Sequence, residues 1–121
     1  MFKQSLFLFA FAAGVPEPLN SQIATSQTLV VEIQNFAFTP ARIEAHPGDV
    51  IEWTNQDFAP HTATADGNEW TTAALKNGAS GRFIATSPGE IGYHCKYHPN
   101  MKGLIVITVK DAHAAGQESG R

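Results

Sequence analysis

In the stretch Tyr93-His94-Cys95-Lys96-Tyr97-His98-Pro99-Asn100-Met101 the chain's only cysteine stands three residues before a histidine and six before a methionine. A thiolate, an imidazole and a thioether this close together have the chemistry of a metal centre. A metal that cycles between the +1 and +2 states needs soft sulfur in one and imidazole nitrogen in the other. Two histidines and a cysteine in a trigonal set, with a long axial methionine, serve both states of copper. The second histidine must come from upstream, and Ala59-Pro60-His61-Thr62 supplies it at the end of what reads as a strand. The candidate set is therefore His61, Cys95, His98 and Met101, around one copper ion per chain. Protein fills all four positions, which favours a carrier of single electrons over a catalyst with an open metal position. Pro60 and Pro99 each flank a candidate histidine and restrict the backbone there.

Taken singly, each of these residues has a plainer role. A lone cysteine is usually a small buried hydrophobe and a lone methionine core filler; it is the joint spacing that decides for ligation. For His94 the balance reverses, because neighbouring side chains in a strand face opposite ways and His94 must point away from Cys95. His46 and His113 read as turn and tail histidines, and Trp53 as a core residue. Zinc also accepts cysteine and histidine, but methionine makes little sense as its fourth ligand. A hydrolase built on Cys95 and His98 has no orienting or oxyanion motif. Two alternatives remain: copper storage or delivery, and a subunit of a copper oxidoreductase. The second needs further histidines and a second domain.

The elements that must position these residues show a period of two. Residues 28–36 alternate and are rich in β-branched types, so they read as a half-buried strand. Residues 42–46 and 49–55 flank Pro47-Gly48, a turn in which proline presets φ and glycine permits a positive one, and the three together read as a hairpin. Further strands are expected over 62–65, 80–86, 90–95 and 104–109. The last lacks polar alternation and should be central and covered on both faces. A helical turn near residues 72–75 is the one departure. Some seven short strands with turns at this spacing argue for an all-β fold, an antiparallel β-sandwich. Within it, the short loop from Cys95 to Met101 can gather three donors around one point while His61 arrives from a neighbouring strand.

Length and charge are consistent with this. The 121 residues make one domain, and 43% hydrophobic content fits a globular chain. Eight basic against eleven acidic residues leave a net charge of −3, with no basic footprint for nucleic acid. Met1-Phe2-Lys3 followed by the apolar run at 6–13 reads as a secretory signal within 1–24, too short to span a bilayer. Its cleavage site is ambiguous. The β domain is expected over 28–110 and a disordered tail over 111–121, giving an exported, periplasmic monomer without stable membrane insertion.

The residues Asn35-Phe36-Ala37-Phe38-Thr39-Pro40, Pro47-Gly48 before Val50-Ile51-Glu52-Trp53, Pro60-His61, Leu75-Lys76-Asn77-Gly78 and the run from Tyr93 to Met101 with Lys102-Gly103 resemble the cupredoxin family. Within it they are most similar to the amicyanins, then to pseudoazurins and plastocyanins. The resemblance implies a Greek-key sandwich, type 1 copper on His61, Cys95, His98 and Met101, and transient redox partners such as a c-type cytochrome or an amine dehydrogenase. Two departures matter. Where amicyanins have proline, Tyr97 keeps its amide N–H, which is expected to donate to the Cys95 sulfur and raise the potential. Where relatives often have asparagine, Thr62 follows the first histidine and should pin the ligand loop less rigidly. Pro60, Pro99 and Phe58 are expected to form a small apolar docking patch.

Overall fold

The computed structural model of the chain describes residues 25–109; the signal segment expected over 1–24 and the tail over 111–121 lie outside those residues. Among the described residues there are eight strands and no helix: β1 (Thr28–Gln34), β2 (Ala37–Thr39), β3 (Arg42–Ala45), β4 (Val50–Asn55), β5 (Thr64–Ala65), β6 (Ser80–Ile84), β7 (Gly89–His94) and β8 (Lys102–Ile107). They form two four-stranded sheets, ordered β2-β1-β4-β6 and β3-β8-β7-β5. Alternation in the sequence becomes alternation in burial. On β1, Val31 and Ile33 are buried while Glu32 and Gln34 face water; on β4, Ile51, Trp53 and Asn55 are buried. Trp53, Tyr93, Ile33, Ile51 and Ile105 fill the space between the sheets. Each of the three isoleucines contributes about 1.5 to 3 kcal/mol on burial.

The all-β sandwich expected from the sequence is present, with sheets of mixed pairing. Strand β1 runs parallel to β4 with Val31 opposite Trp53, and β3 runs parallel to β8 with Ile43 opposite Ile105. Consequently the segments around Pro47-Gly48 do not form a hairpin. The turn itself is there, with Gly48 at φ +97° and the Asp49 amide bonded to the His46 carbonyl at 2.9 Å. However, β3 and β4 go to different sheets, and a turn motif carries no information about which sheet each arm joins. The choice is made by Gln27, whose carbonyl takes the Val50 amide and whose own amide is held by Asp49 Oδ1, drawing β4 beside β1.

Three further expectations are corrected. The first strand stops at Gln34, and Asn35-Phe36 form a two-residue turn into β2 with both φ values positive (55° and 58°). Residues 72–75 are extended, tied by bridges from Thr71 to Thr64 and from Leu75 to His61. Strand β8 is central, between β3 and β7, but only its inward face is fully covered: Ile105 and Ile107 are buried whereas Leu104 and Val106 are half-buried. The β7–β8 pair closes the sandwich around the 95–101 loop. Gly103 is required just after that loop because a Cβ there would run into the Tyr93 ring.

Candidate metal centre

The end of strand β7 sends Tyr93 inward and His94 outward, and Cys95, the next residue, turns inward again. The His94 Nδ1 lies 2.6 Å from Asp66 Oδ1 on the outer side, which accounts for it without a metal. The Cys95 side chain is fully buried. From Cys95 the chain makes two consecutive turns: the His98 amide bonds the Cys95 carbonyl (3.2 Å), and the Met101 amide bonds the His98 carbonyl (2.8 Å). The Cys95 amide closes the loop on the Met101 carbonyl at 3.2 Å. A spacing of three residues is the span of one β-turn, so the two-residue gaps place Cys95, His98 and Met101 at successive corners of one tight loop. Met101 is buried at 5% exposure and borders the same concavity as Phe36, His98 and Pro99.

His61 comes from the segment between β4 and β5. Its amide and carbonyl both bond Leu75, at 3.1 and 2.8 Å. Fully buried Asn55 anchors the approach: its Nδ2 donates to the Ala59 and Leu75 carbonyls and its Oδ1 accepts the Asp57 amide, all within 2.9 Å. The ring is oriented by Asp57, whose Oδ2 lies 2.9 Å from His61 Nε2. A carboxylate there accepts the Nε2 proton and leaves the Nδ1 lone pair free, the tautomer a metal ligand needs.

Nδ1 of His61, Sγ of Cys95 and Nδ1 of His98 all lie within 4.8 Å of one another, the one such group of donors among the described residues. The sulfur is 3.7 Å from the first nitrogen and 3.6 Å from the second. Metal–nitrogen and metal–sulfur bonds of roughly 2.1 and 2.3 Å, opened to a trigonal angle, separate their donors by about 3.8 Å, close to the distances here. The donor set thus fits a first-row metal in kind and in spacing, and its mixture of thiolate and imidazole suits copper.

Two neighbours of the centre were not singled out from the sequence. Asp57 also accepts the Asn35 and Phe36 amides at 2.8 and 2.9 Å, holding the β1–β2 turn against the site. Burial opposes ionisation of Asp57, but the Phe36 and Asn35 amides and the His61 ring outweigh it and hold the carboxyl below the usual range. Phe36 then stands edge-on to both imidazoles, 5.1 Å from His61 and 4.8 Å from His98 between ring centres, with half its surface exposed. A bulky residue in the left-handed region is an outlier that points to a local role. Asparagine at the first turn position was the readable cue, and a carboxylate four residues before His61 the other.

The donor on the sulfur also differs from expectation. The amide that reaches Cys95 Sγ belongs to Thr62, at 3.4 Å, not to Tyr97. Loop direction decides this: after Cys95 the backbone turns toward His98, whereas Thr62, just before β5, presents its amide to the sulfur. Thr62 also holds the ligand loop, with its Oγ1 accepting the Lys96 amide at 2.9 Å.

A family model described as a cupredoxin-like domain matches residues 5–107. The chain belongs to the cupredoxin-like family. Amicyanin of Paracoccus denitrificans is 29% identical over 107 residues, covering 81% of this chain and 82% of the relative. The solved Cu(I) form of an amicyanin variant matches with a TM-score of 0.62 at 25% identity, over 73% of this chain and 88% of that one. A copper-containing nitrite reductase from Thermus scotoductus matches with a TM-score of 0.64 at 27% identity, over 84% of this chain but 25% of that longer enzyme. This cupredoxin is a copper-binding electron-transfer protein, and its cofactor is a single type 1 copper.

Proposed function

We propose that His61 and His98 through Nδ1, Cys95 through Sγ, and Met101 as the weaker fourth ligand hold that copper, and that the protein shuttles single electrons between soluble redox partners. The observation that carries the reading is the trio of donor atoms within 4.8 Å of one another around a fully buried cysteine. Copper, when bound, supplies a one-electron couple between its +1 and +2 states. The protein's part is to keep the donors still. Asp57 fixes the His61 ring, Thr62 donates to the sulfur, and the two stacked turns of the 95–101 loop keep His98 and Met101 in register with Cys95. A frame that holds one geometry through both oxidation states lowers the reorganisation that electron transfer requires.

His98 is the half-buried member of the set and gives the electron its shortest way out. Phe36 (49% exposed) and Pro99 border the same concavity as His98 and Tyr97 (53%) adjoins it, while Phe58 (94%) and Pro60 are exposed on the segment that leads to His61. Such a rim suits the small, short-lived interfaces of redox proteins, with a c-type cytochrome or a dehydrogenase as partner. The apolar run at 6–13 after a basic start supports export to the periplasm. Among the described residues no helix is long and apolar enough to cross a membrane.

The test is the visible spectrum after adding one equivalent of Cu(II). An intense blue thiolate-to-copper band, lost in Cys95→Ser, is expected; a colourless adduct would move delivery or zinc binding ahead of electron transfer. In Pro99→Glu the band should persist while transfer to a cytochrome slows. Unchanged transfer kinetics would reject the docking rim.

A further inference from the structure

Three threonines beside the centre make a feature that ligation alone does not require. Thr62 Oγ1 accepts the Lys96 amide at 2.9 Å and lies 2.8 Å from Thr64 Oγ1. Thr64 Oγ1 lies 2.7 Å from Thr71 Oγ1, and the Thr71 hydroxyl donates to the Thr72 carbonyl at 3.0 Å. The two ends fix the direction of everything between them. An amide can only donate and a carbonyl can only accept, so each hydroxyl proton must point away from Lys96. Thr62 donates to Thr64, Thr64 to Thr71, and Thr71 to the backbone.

The chain is built rather than incidental. Thr62 and Thr64 are 2% and 1% exposed, and each has one donor and one acceptor in place. They share a face because they are two residues apart in extended backbone, and a bridge between Thr64 and Thr71 sets the last hydroxyl beside them. Hydrogen bonds running head to tail polarise one another and strengthen the whole row. The row also starts where the metal centre is held. Thr62 follows His61, Lys96 follows Cys95, and the Thr62 amide is the donor on the Cys95 sulfur.

We propose that Thr64 and Thr71 are positioning residues of the copper centre: their directed hydroxyl chain locks Thr62, so that its oxygen holds the Lys96 amide and its N–H stays on the Cys95 sulfur, and this sets the reduction potential. The proposal rests on the ligand assignment above. A donor on the sulfur favours the reduced state, whose thiolate is the richer in electrons. Loosening Thr62 therefore lowers the potential.

Thr64→Val keeps the side-chain volume and removes the relay. In the copper-loaded protein it should retain a blue band, shifted in energy, with a lowered potential; Thr64→Ser should restore both. Thr71→Val, at the exposed end where water can replace the lost hydroxyl, should move the potential in the same direction by less, and it covers the case in which Thr64→Val does not fold. In the apoprotein, amide hydrogen exchange at Lys96 should quicken several-fold in Thr64→Val, as expected when the hydrogen bond that protects it is weakened. A purely structural role would lower the melting temperature and leave the potential where it was, and that result would overturn the proposal. So would unchanged Lys96 exchange. A wild-type protein without the blue band would instead overturn the ligand assignment, since the Lys96 exchange reads the hydroxyl chain in the absence of copper.

Discussion

Asp49 and Asp57 treat the backbone alike at opposite ends of β4. Asp49 accepts the Gln27 amide on one oxygen and the His46 amide on the other, at 2.9 and 2.8 Å. Asp57 accepts the Asn35 and Phe36 amides at 2.8 and 2.9 Å. Each carboxylate thus pins a turn to the edge of the same sheet, and each has a histidine within four residues in sequence. The histidines part company. The His46 Nδ1 lies 2.7 Å from the Thr108 carbonyl and its ring closes the frame, whereas the His61 Nε2 rests on Asp57 and turns its Nδ1 toward the Cys95 sulfur. Identical residue types and identical backbone chemistry give a clamp at one end and a metal centre at the other. The difference is convergence: only at the Asp57 end does a loop from the second sheet bring further donors to the same point, with a turn from the first sheet laying the Phe36 ring against both imidazoles.

The sharpest way to break this comparison is to remove each carboxylate in turn. Asp57→Ala should weaken copper binding by roughly 10- to 100-fold, the usual cost of losing the outer partner of a metal-bound histidine. Asp49→Ala should leave copper affinity within twofold while lowering stability by about 1 to 3 kcal/mol through its unpartnered amides. Copper titration and denaturant unfolding of the two apoproteins would separate the effects; equal loss of affinity in both variants would erase the distinction.

A second prediction concerns the core between the two ends. Burial pushes the Tyr93 hydroxyl up to about 12. In the unfolded chain it titrates near 10. Below that pH both states keep the proton and stability is fully present. As the pH rises toward 12 the unfolded chain loses a proton that the folded chain retains, so stability should fall by about 2 to 3 kcal/mol. Unfolding of the apoprotein at pH 9 and pH 11.5 would show this fall, and it should be absent in Tyr93→Phe. A fall of the same size in Tyr93→Phe would assign the alkaline response elsewhere.

The smallest effect sharpens the comparison at the Asp57 end. Phe36 holds a left-handed conformation that glycine adopts freely, and that relief offsets the packing lost with the ring, so Phe36→Gly should change stability by no more than about 1 kcal/mol. The same variant uncovers the edges of both imidazoles, and copper should pass faster to a chelator. Slower or unchanged copper loss would make the Phe36 ring a bystander.

Much of this was legible before any coordinates. The four candidate ligands followed from spacing, because a gap of two residues between Cys95, His98 and Met101 admits little besides successive turns. His94 was set aside by strand alternation, and its bond to Asp66 agrees. The turn at Asn35-Phe36, read through as strand, was a local cue left unused; elsewhere the missing quantity was a relation between distant segments. The Pro47-Gly48 turn was recognised, but the sheet chosen by each arm depended on Gln27 and Asp49. The sulfur's amide donor was sought on its own loop at Tyr97, yet it comes from Thr62 across the strand gap.

Local chemistry therefore determined the element types, the ligand loop and the metal class, since turns, alternation and donor softness are properties of short stretches of chain. Tertiary structure alone decided which sheet each strand joined, which carboxylate met a histidine, and which hydroxyls lined up behind Cys95. The sheet pairings and the amide on the Cys95 sulfur join segments 22 to 62 residues apart, while Asp57 and the threonine row, made of residues close in sequence, are set in place by the Asn35-Phe36 turn and the Lys96 amide that reach them from elsewhere in the chain, and no short window of sequence carries that information.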